Sequence, residues 1–401
     1  MRILQVCNKV PWPPKDGGAI ATLTMSKGFT LLGHDVHVLA MNTKKHHITI
    51  DEIPHDLKER MHFELIDVSA RITTIGLLGN LLFSNLPYNA SRFISRQFSR
   101  KLADLLQAKT FDLIQLEGLY LCPYIPLIRK HSKALISYRA HNVEHEIWER
   151  TAAVTPGFRS IYLKLLASRI KKFEISYLNS YDVLVPITDR DGDLLDQLGN
   201  TKPRHTTQTG IDLATLVPKA GQLEYPSVFH LGALDWAPNQ EGLLWFLENC
   251  WPKLQQKYPQ LKFFVAGRNA PDWLQSKLQY KNVVFLGEIE DAYAFMNSKA
   301  IMVAPLLSGS GMRVKIIEGL ALGKAIVSTG IGAEGIAVEK GKHILLADEA
   351  DEFIQAVSNL IEDRDLYDQL CKNAIDFIHD KFDNLAIAES LTDFYKQYLN
   401  A

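Results

Sequence analysis

The sequence predicts an α/β protein built from two doubly wound domains. The length of 401 residues, short apolar runs alternating with longer amphipathic ones, and a restart of that alternation past Gly221 carry the prediction. At roughly 100–200 residues per domain, the length divides into two units. Hydrophobic residues make up 47% and charged residues 22%, too apolar a composition for a chain that stays disordered.

Ile3–Val6, Val36–Leu39, Leu113–Leu116, Ala134–Ile136 and Val183–Val185 read as strands, separated by helical stretches such as Ala19–Leu32 and Phe93–Gln107. Strands apolar on both faces and joined by helical crossovers imply a parallel sheet covered on both sides. A second set follows at Val228–Leu231, Leu261–Ala266, Val283–Leu286, Ile301–Ala304 and Ala325–Ser328. Between the sets, Gly199–Gly221 contains Pro203, Gly210 and Pro218 and suits a hinge. The expected domains are residues 1–205 and 206–383, with an amphipathic C-terminal helix, 384–401, joining the N-terminal one.

Lys+Arg 44 against Asp+Glu 45 leaves a net charge of -1, so the molecule has no overall field to hold nucleic acid, and any anion must meet a local site. Cys7, Cys122, Cys250 and Cys371 form no CxxC pair, which argues against a disulfide framework or a thiolate zinc site. The chain meets Pro11 before a signal-peptide core develops and has no uninterrupted apolar stretch long enough to span a bilayer, so a cytoplasmic location is expected. Ile72–Leu86 is apolar and is followed by Arg92, Arg96, Arg100 and Lys101, while Arg159–Lys172 is basic and amphipathic. The plain reading is helices with solvated faces; the sharper one is a peripheral contact with anionic lipid at the inner face of the membrane, or with a lipid-linked substrate.

Ligands of open α/β sheets bind beyond the carboxyl ends of the strands, which directs attention to four loops. After Cys7, the loop ends in Asp16-Gly17-Gly18 at a helix N-terminus, where backbone N–H groups approach a phosphate or sugar. It lacks the GxGxxG pattern, and no acidic residue closes the second strand, which disfavours a nicotinamide cofactor. After Ile136 comes Tyr138-Arg139-Ala140-His141-Asn142-Val143-Glu144-His145. His141 to His145 spells H-x-x-E-H, but a strand-end His141 and a helix starting near Val143 make the two rings diverge, so no metal is expected there. A His141–Asn142 pair projecting into a cleft to meet substrate hydroxyls fits better than a satisfied core histidine.

The third loop follows Leu231: Gly232 lets the backbone close on a ligand, and Asn239 looks like a helix cap. The fourth is the most informative. Gly309-Ser310-Gly311-Met312-Arg313-Val314-Lys315 opens a helix with unpaired N–H donors, and it places two cations where the helix dipole disfavours them unless an anion is sandwiched there. A diphosphate fits, and Glu318 can accept hydrogen bonds from a vicinal diol such as ribose. The plain alternative is an exposed Lys315–Glu318 pair worth only tenths of a kcal/mol.

Taken in order, Pro-Trp-Pro-Pro-Lys-Asp-Gly-Gly, Arg-Ala-His-Asn-Val-Glu, Thr209-Gly210-Ile211-Asp212, Trp236-Ala237-Pro238-Asn239 and Gly-Ser-Gly-Met-Arg-Val-Lys-Ile-Ile-Glu-Gly-Leu-Ala-Leu-Gly-Lys make the chain resemble the GT-B-fold glycosyltransferases. The closer resemblance is to the retaining enzymes of glycosyltransferase family 4. It implies two Rossmann-like domains facing across a cleft, and transfer of a sugar from a nucleotide-diphosphate sugar to a glycan, lipid-linked or small-molecule acceptor, as in polysaccharide biosynthesis. Neither metal nor cofactor is implied. His141, Arg313 and Lys315 become catalytic candidates, with His141 lining the donor sugar pocket. Asp16, Gly17, Gly18, Arg139, Asn142, Gly232, Arg268, Gly309, Ser310, Gly311, Met312 and Glu318 become substrate-binding candidates. Two departures stand out: Ser310 occupies the position where the family often carries a first glutamate, and the Gly232–Asn239 loop lacks the family's Arg and Lys. Arg313, Lys315 and Arg268 are the cations that can replace the latter. The competing readings are an epimerase of the same fold, for which Asp16 and Glu117 are the available carboxylates, and a catalytically silent sugar-nucleotide or glycan-binding protein.

Overall fold

The computed structural model describes every residue except 45–46, 214–215, 220, 222, 310–311 and 400–401. The chain divides into two compact units, Met1–Gly210 with Asn384–Ala401, and Ile211–Asp383.

In the first unit β1 (Arg2–Cys7), β2 (Asp35–Thr43), β3 (His62–Val68), β4 (Leu113–Glu117), β5 (Leu135–Ala140) and β6 (Val183–Pro186) form one sheet in the order β3-β2-β1-β4-β5-β6. All its pairings are parallel. Sequence reading misses β3, and the reason is physical: His62-Phe63-Glu64-Leu65-Ile66-Asp67-Val68 is an edge strand, half-buried along most of its length, so it never shows a continuous apolar run. The central strands are buried at nearly every position, as their composition demands.

The second unit repeats the plan. Its strands are β7 (Glu224–Leu231), β8 (Phe263–Ala266), β9 (Val283–Gly287), β10 (Lys299–Ala304), β11 (Ala325–Ser328) and β12 (Leu345–Leu346), in the order β12-β11-β10-β7-β8-β9. Counted from its own first strand this is again 3-2-1-4-5-6, the doubly wound order. The order reverses beside β1 in one sheet and beside β7 in the other, and open sheets of this kind receive ligands in the crevice at the carboxyl ends beside such a reversal. At the β7 end two loops touch: a Cβ on Gly267 would lie 1.7 Å from the Gly232 carbonyl oxygen, so only glycine fits.

The last helix, Asn384–Lys396, returns to the first unit and lies along the helix Gly17–Leu31. A Cβ on Gly28 would come within 2.6 Å of the Ala388 Cβ, so the glycine permits the close approach. Asn384 donates to the Thr24 carbonyl at 2.8 Å, and the Tyr395 hydroxyl bonds Gln115 at 2.7 Å and Ser137 at 2.8 Å, tying the helix to β4 and β5. Leu391 in this contact is fully buried. Leu391→Ala is expected to cost the first unit about 2–5 kcal/mol. Hydrogen exchange should show lost protection in residues 1–210 and unchanged protection in 211–383.

Candidate functional site

At the carboxyl end of the first sheet the polar groups converge on Glu117, the last residue of β4, only 4% exposed. His141 Nε2 lies 2.7 Å from Glu117 Oε2, Thr22 Oγ1 donates to the same oxygen at 3.1 Å, and Gln5 donates to Oε1 at 3.2 Å. The Gln115 amide donates as well, and the Arg139 guanidinium lies 3.5 Å from Oε2. Burial alone would raise the Glu117 pKa. Arg139 foremost, then His141 and Gln115, outweigh it and pull the value down to about 2. Glu117 is therefore an ionised anchor whose lone pairs are committed, not a free base.

His141 stands one residue past β5 and keeps a small exposed edge. Burial lowers its pKa against the opposing pull of Glu117, so the ring is neutral, donating from Nε2 and leaving Nδ1 as an acceptor. Arg139 does not reach solvent: it is 0% exposed and donates to the Ala21 carbonyl at 3.0 Å. Its expected contact with substrate is thus corrected to a positioning role, holding Glu117 against the first helix. Asn142 is half-buried. The helix Glu144–Val154 begins only at Glu144, and the buried His145 bonds Glu174 at 2.6 Å, so the two histidines are not a chelate. Glu144 accepts from the Tyr120 hydroxyl at 2.8 Å, and burial raises its pKa to about 7.

Asp16 caps the helix Gly17–Leu31, accepting from Ala19 N–H at 3.0 Å, and it pairs with Lys9. Gly17 and Gly18 form the first turn beside that ammonium: a Cβ on Gly18 would lie 3.1 Å from Lys9 Nζ. Sequence reading passes over Lys9 because a lone lysine in a proline-rich loop carries no pattern. It also passes over Asp189-Arg190-Asp191, an Asp-x-Asp triplet just beyond β6. There Arg190 pairs with Asp191 at 3.0 Å and with Glu146, while Thr188 caps the helix, so the charge of Asp191 is met by the protein. A His-Asp group, Asp35, His37 and His62, lies at the opposite end of the sheet. Its imidazoles stack at 4.4 Å and 27°, and the Nε2 atoms of His37 and His62 lie 3.2 and 3.7 Å from the same Asp35 oxygen.

In the second unit, the helix Val314–Ala321 follows β10 and starts one residue after Arg313. Ser310 and Gly311 lie outside the described residues. Gly309 has φ +113, and a Cβ there would lie 3.0 Å from an Arg313 terminal nitrogen and 3.2 Å from the Trp236 ring. Arg313 is 8% exposed, with its guanidinium 5.6 Å from the Trp236 ring centroid. It packs under the turn. Met312 packs against the apolar core. Asn239 is not a cap: the helix starts at Ala237 with Trp236 in the cap position, and the Asn239 amide donates to the Ala233 carbonyl at 2.9 Å, closing the loop over Gly232.

Lys315 differs from these. It is half-buried in the first turn and makes no hydrogen bond or ion pair among the described residues. Burial lowers its pKa to about 8; Glu318 opposes the shift and Arg268, half-buried after β8, adds to it. Glu318 accepts from the Tyr293 hydroxyl at 3.0 Å, and burial raises its pKa. His230, 3% exposed, bonds the Val303 carbonyl through Nδ1 at 3.1 Å, and burial together with Lys315 pushes its pKa down to about 4. Lys315, Arg268, Glu318, Tyr293 and His230 thus share one field at the carboxyl end of β7 and β10. Tyr293 and His230 carry no local sequence signal, because they arrive from a separate helix and from a strand interior.

The fold belongs to a recognisable class. The fold is GT-B: sucrose-phosphate synthase from Thermosynechococcus elongatus superimposes with a TM-score of 0.72 at 16% identity, covering 100% of both chains. Anabaena Alr3699/HepE in complex with UDP gives 0.70 at 15% identity, covering 99% of this chain and 100% of that one. Residues 225–363 match the family model for glycosyl transferases group 1. An "Uncharacterized 44.6 kDa protein in cps region" of Klebsiella pneumoniae is 23% identical over 97% of this chain and 98% of its own length. Phosphatidyl-myo-inositol mannosyltransferase of Mycolicibacterium smegmatis is 24% identical over 47% of this chain and 50% of its own length. Together these findings support a GT-B glycosyltransferase.

Replacing Glu117 with Gln leaves the buried Arg139 without its counter-charge and is expected to cost about 3–5 kcal/mol at neutral pH. The folded pKa of about 2 lies below the ordinary 4.5, so the stabilisation is present above 4.5 and fades as pH falls towards 2. Denaturant melts should therefore show the gap between wild type and Glu117→Gln closing across that acid window.

Proposed function

We propose that the protein transfers a sugar from a nucleotide-diphosphate sugar to a glycan, lipid-linked or small-molecule acceptor, with retention and without a metal. The observation that carries the reading is Lys315: an ammonium without a partner among the described residues, desolvated at a helix N-terminus and reinforced by Arg268. A group so placed is stabilised by an anion, and a diphosphate supplies it. Glu318 and Tyr293 together offer a carboxylate and a hydroxyl for a ribose diol. Alr3699/HepE forms complexes with UDP and with UDP-glucose, which makes UDP the first nucleotide to try.

In the proposed reaction the bond between the sugar C1 and the diphosphate oxygen breaks, and the acceptor oxygen bonds C1 on the same face. The acceptor proton passes to the departing phosphate oxygen. Negative charge grows on the leaving group, so Lys315, Arg268 and the N–H groups opening the helix Val314–Ala321 bind it more tightly as it departs. Arg313 acts through the turn it packs under. On the first unit, Gly17, Gly18 and Lys9 meet phosphate or sugar, and His141, fixed by Glu117, presents its Nδ1 to a sugar hydroxyl. The epimerase alternative gains no support from Asp16 and Glu117, since one caps a helix and the other anchors His141.

Incubation with a panel of nucleotide sugars tests the assignment. Release of free nucleotide that depends on an added acceptor extract supports transfer; tight binding with no turnover supports a silent module, and interconversion of the sugar without acceptor supports an epimerase. Lys315→Met is expected to weaken UDP binding by about tenfold or more, the scale of one charge-assisted contact. Glu318→Gln should weaken uridine as much as UDP. Calorimetry showing unchanged affinity in both variants would remove the site from the second unit.

A further inference from the structure

The helices Thr74–Phe83 and Phe158–Tyr177 take no part in the sites above. They pack side by side, with Leu77, Asn80 and Leu81 facing Tyr162, Leu165 and Leu166. Arg169 donates to the Leu81 carbonyl at 3.0 Å, anchoring the end of the first helix on the second.

The outward face of this pair is the anomaly. Along Phe158–Tyr177, the positions Ile161, Lys164, Leu165, Ser168, Lys172 and Ile175 recur at helical spacing, and all are exposed. A solvated stripe is ordinarily polar, yet this one carries large aliphatics, with Ile161 66% exposed. At the end of the first helix Phe83 is 88% exposed, and just before that helix Ile72 is 70% exposed. Residues 68–103 contain five Lys or Arg and no Asp or Glu, and residues 150–173 contain six and none, in a chain whose charges otherwise balance at 44 to 45. Some of these cations are spoken for: Arg150 pairs with Glu146 and Lys101 with Glu64. Arg71, Arg159, Lys164 and Lys172 form no ion pair among the described residues.

We propose that this face docks on an anionic lipid bilayer, with Phe83, Ile161 and Leu165 entering the acyl boundary and the flanking cations meeting the phosphate headgroups. Protruding apolar side chains interspersed with cations, and no carboxylate on either segment, match a continuous sheet of negative charge over an apolar layer. Among the described residues no helix is long and apolar enough to cross a membrane, so this contact is peripheral. The proposal stands whether or not the transfer reaction is as described above.

Flotation of the full chain with vesicles of phosphatidylcholine alone, and of phosphatidylcholine containing phosphatidylglycerol, tests it. The chain should partition onto the anionic vesicles and not the neutral ones, and high salt should weaken the partition. Ile161→Glu and Phe83→Glu should each reduce partitioning at least about tenfold while leaving the circular dichroism melt unchanged, and Lys164→Glu with Lys172→Glu should reduce it further. Equal partition onto both vesicle types, no partition at all, or Glu variants that bind as the wild type does would overturn the proposal. So would sedimentation showing that Ile161→Glu dissolves a dimer that does not bind vesicles, which assigns the face to a second copy of the chain.

Discussion

The second unit is organised around one electrostatic constraint: a lysine ammonium placed at the positive end of a helix and removed from much of its water. Desolvation and the helix dipole both work against Lys315, and Arg268 adds a like charge. Glu318 is the nearest compensation, and its carboxylate is shared with Tyr293. An anion bound at that point would relieve all of these penalties together, and on that ground we propose so unfavourable an arrangement as a binding device.

The first unit solves a different problem, how to hold a ring still. His141 follows a strand end and is oriented by Glu117, which is itself fixed by Arg139, Gln5, Gln115 and Thr22. Gln115 passes the network on to Tyr395 of the last helix, so a residue near the end of the chain contributes to the rigidity of a residue near its middle. The same helix closes on Gly28, one turn before the end of the helix that opens at Gly17 and Gly18. The orientation of His141 is thus distributed through buried side chains.

Much of this was legible in the sequence, and the failures share a cause. Apolar runs identified the central strands because those are buried on both faces; β3 alternates and lies at an edge, and β12 has only two residues, so neither generates a run. The turn before the helix Val314–Ala321 draws attention in the sequence because glycines and cations there conflict with local preference. What the pattern does not carry is side-chain direction. Arg139 and Arg313 look alike as strand-end and turn cations, yet one points into the unit and the other under Trp236, while Lys315 has no ion pair among the described residues. Asn239 has the residue type of a cap, but the helix begins at Ala237 and turns its amide to the loop. Partners that arrive from other elements, such as Tyr293 on Glu318, become visible only in three dimensions.

The most direct measurement is the affinity for UDP as a function of pH, read by calorimetry in buffers of different ionisation enthalpy. A Lys315 that titrates near 8 when free and stays charged against a diphosphate predicts constant affinity between the second ionisation of the terminal phosphate, at about 6, and that pH. Above it, affinity should fall by up to about tenfold per unit, with one proton taken up on binding. Affinity that ignores pH across this range, with no proton uptake, would contradict the assignment of Lys315 to the diphosphate.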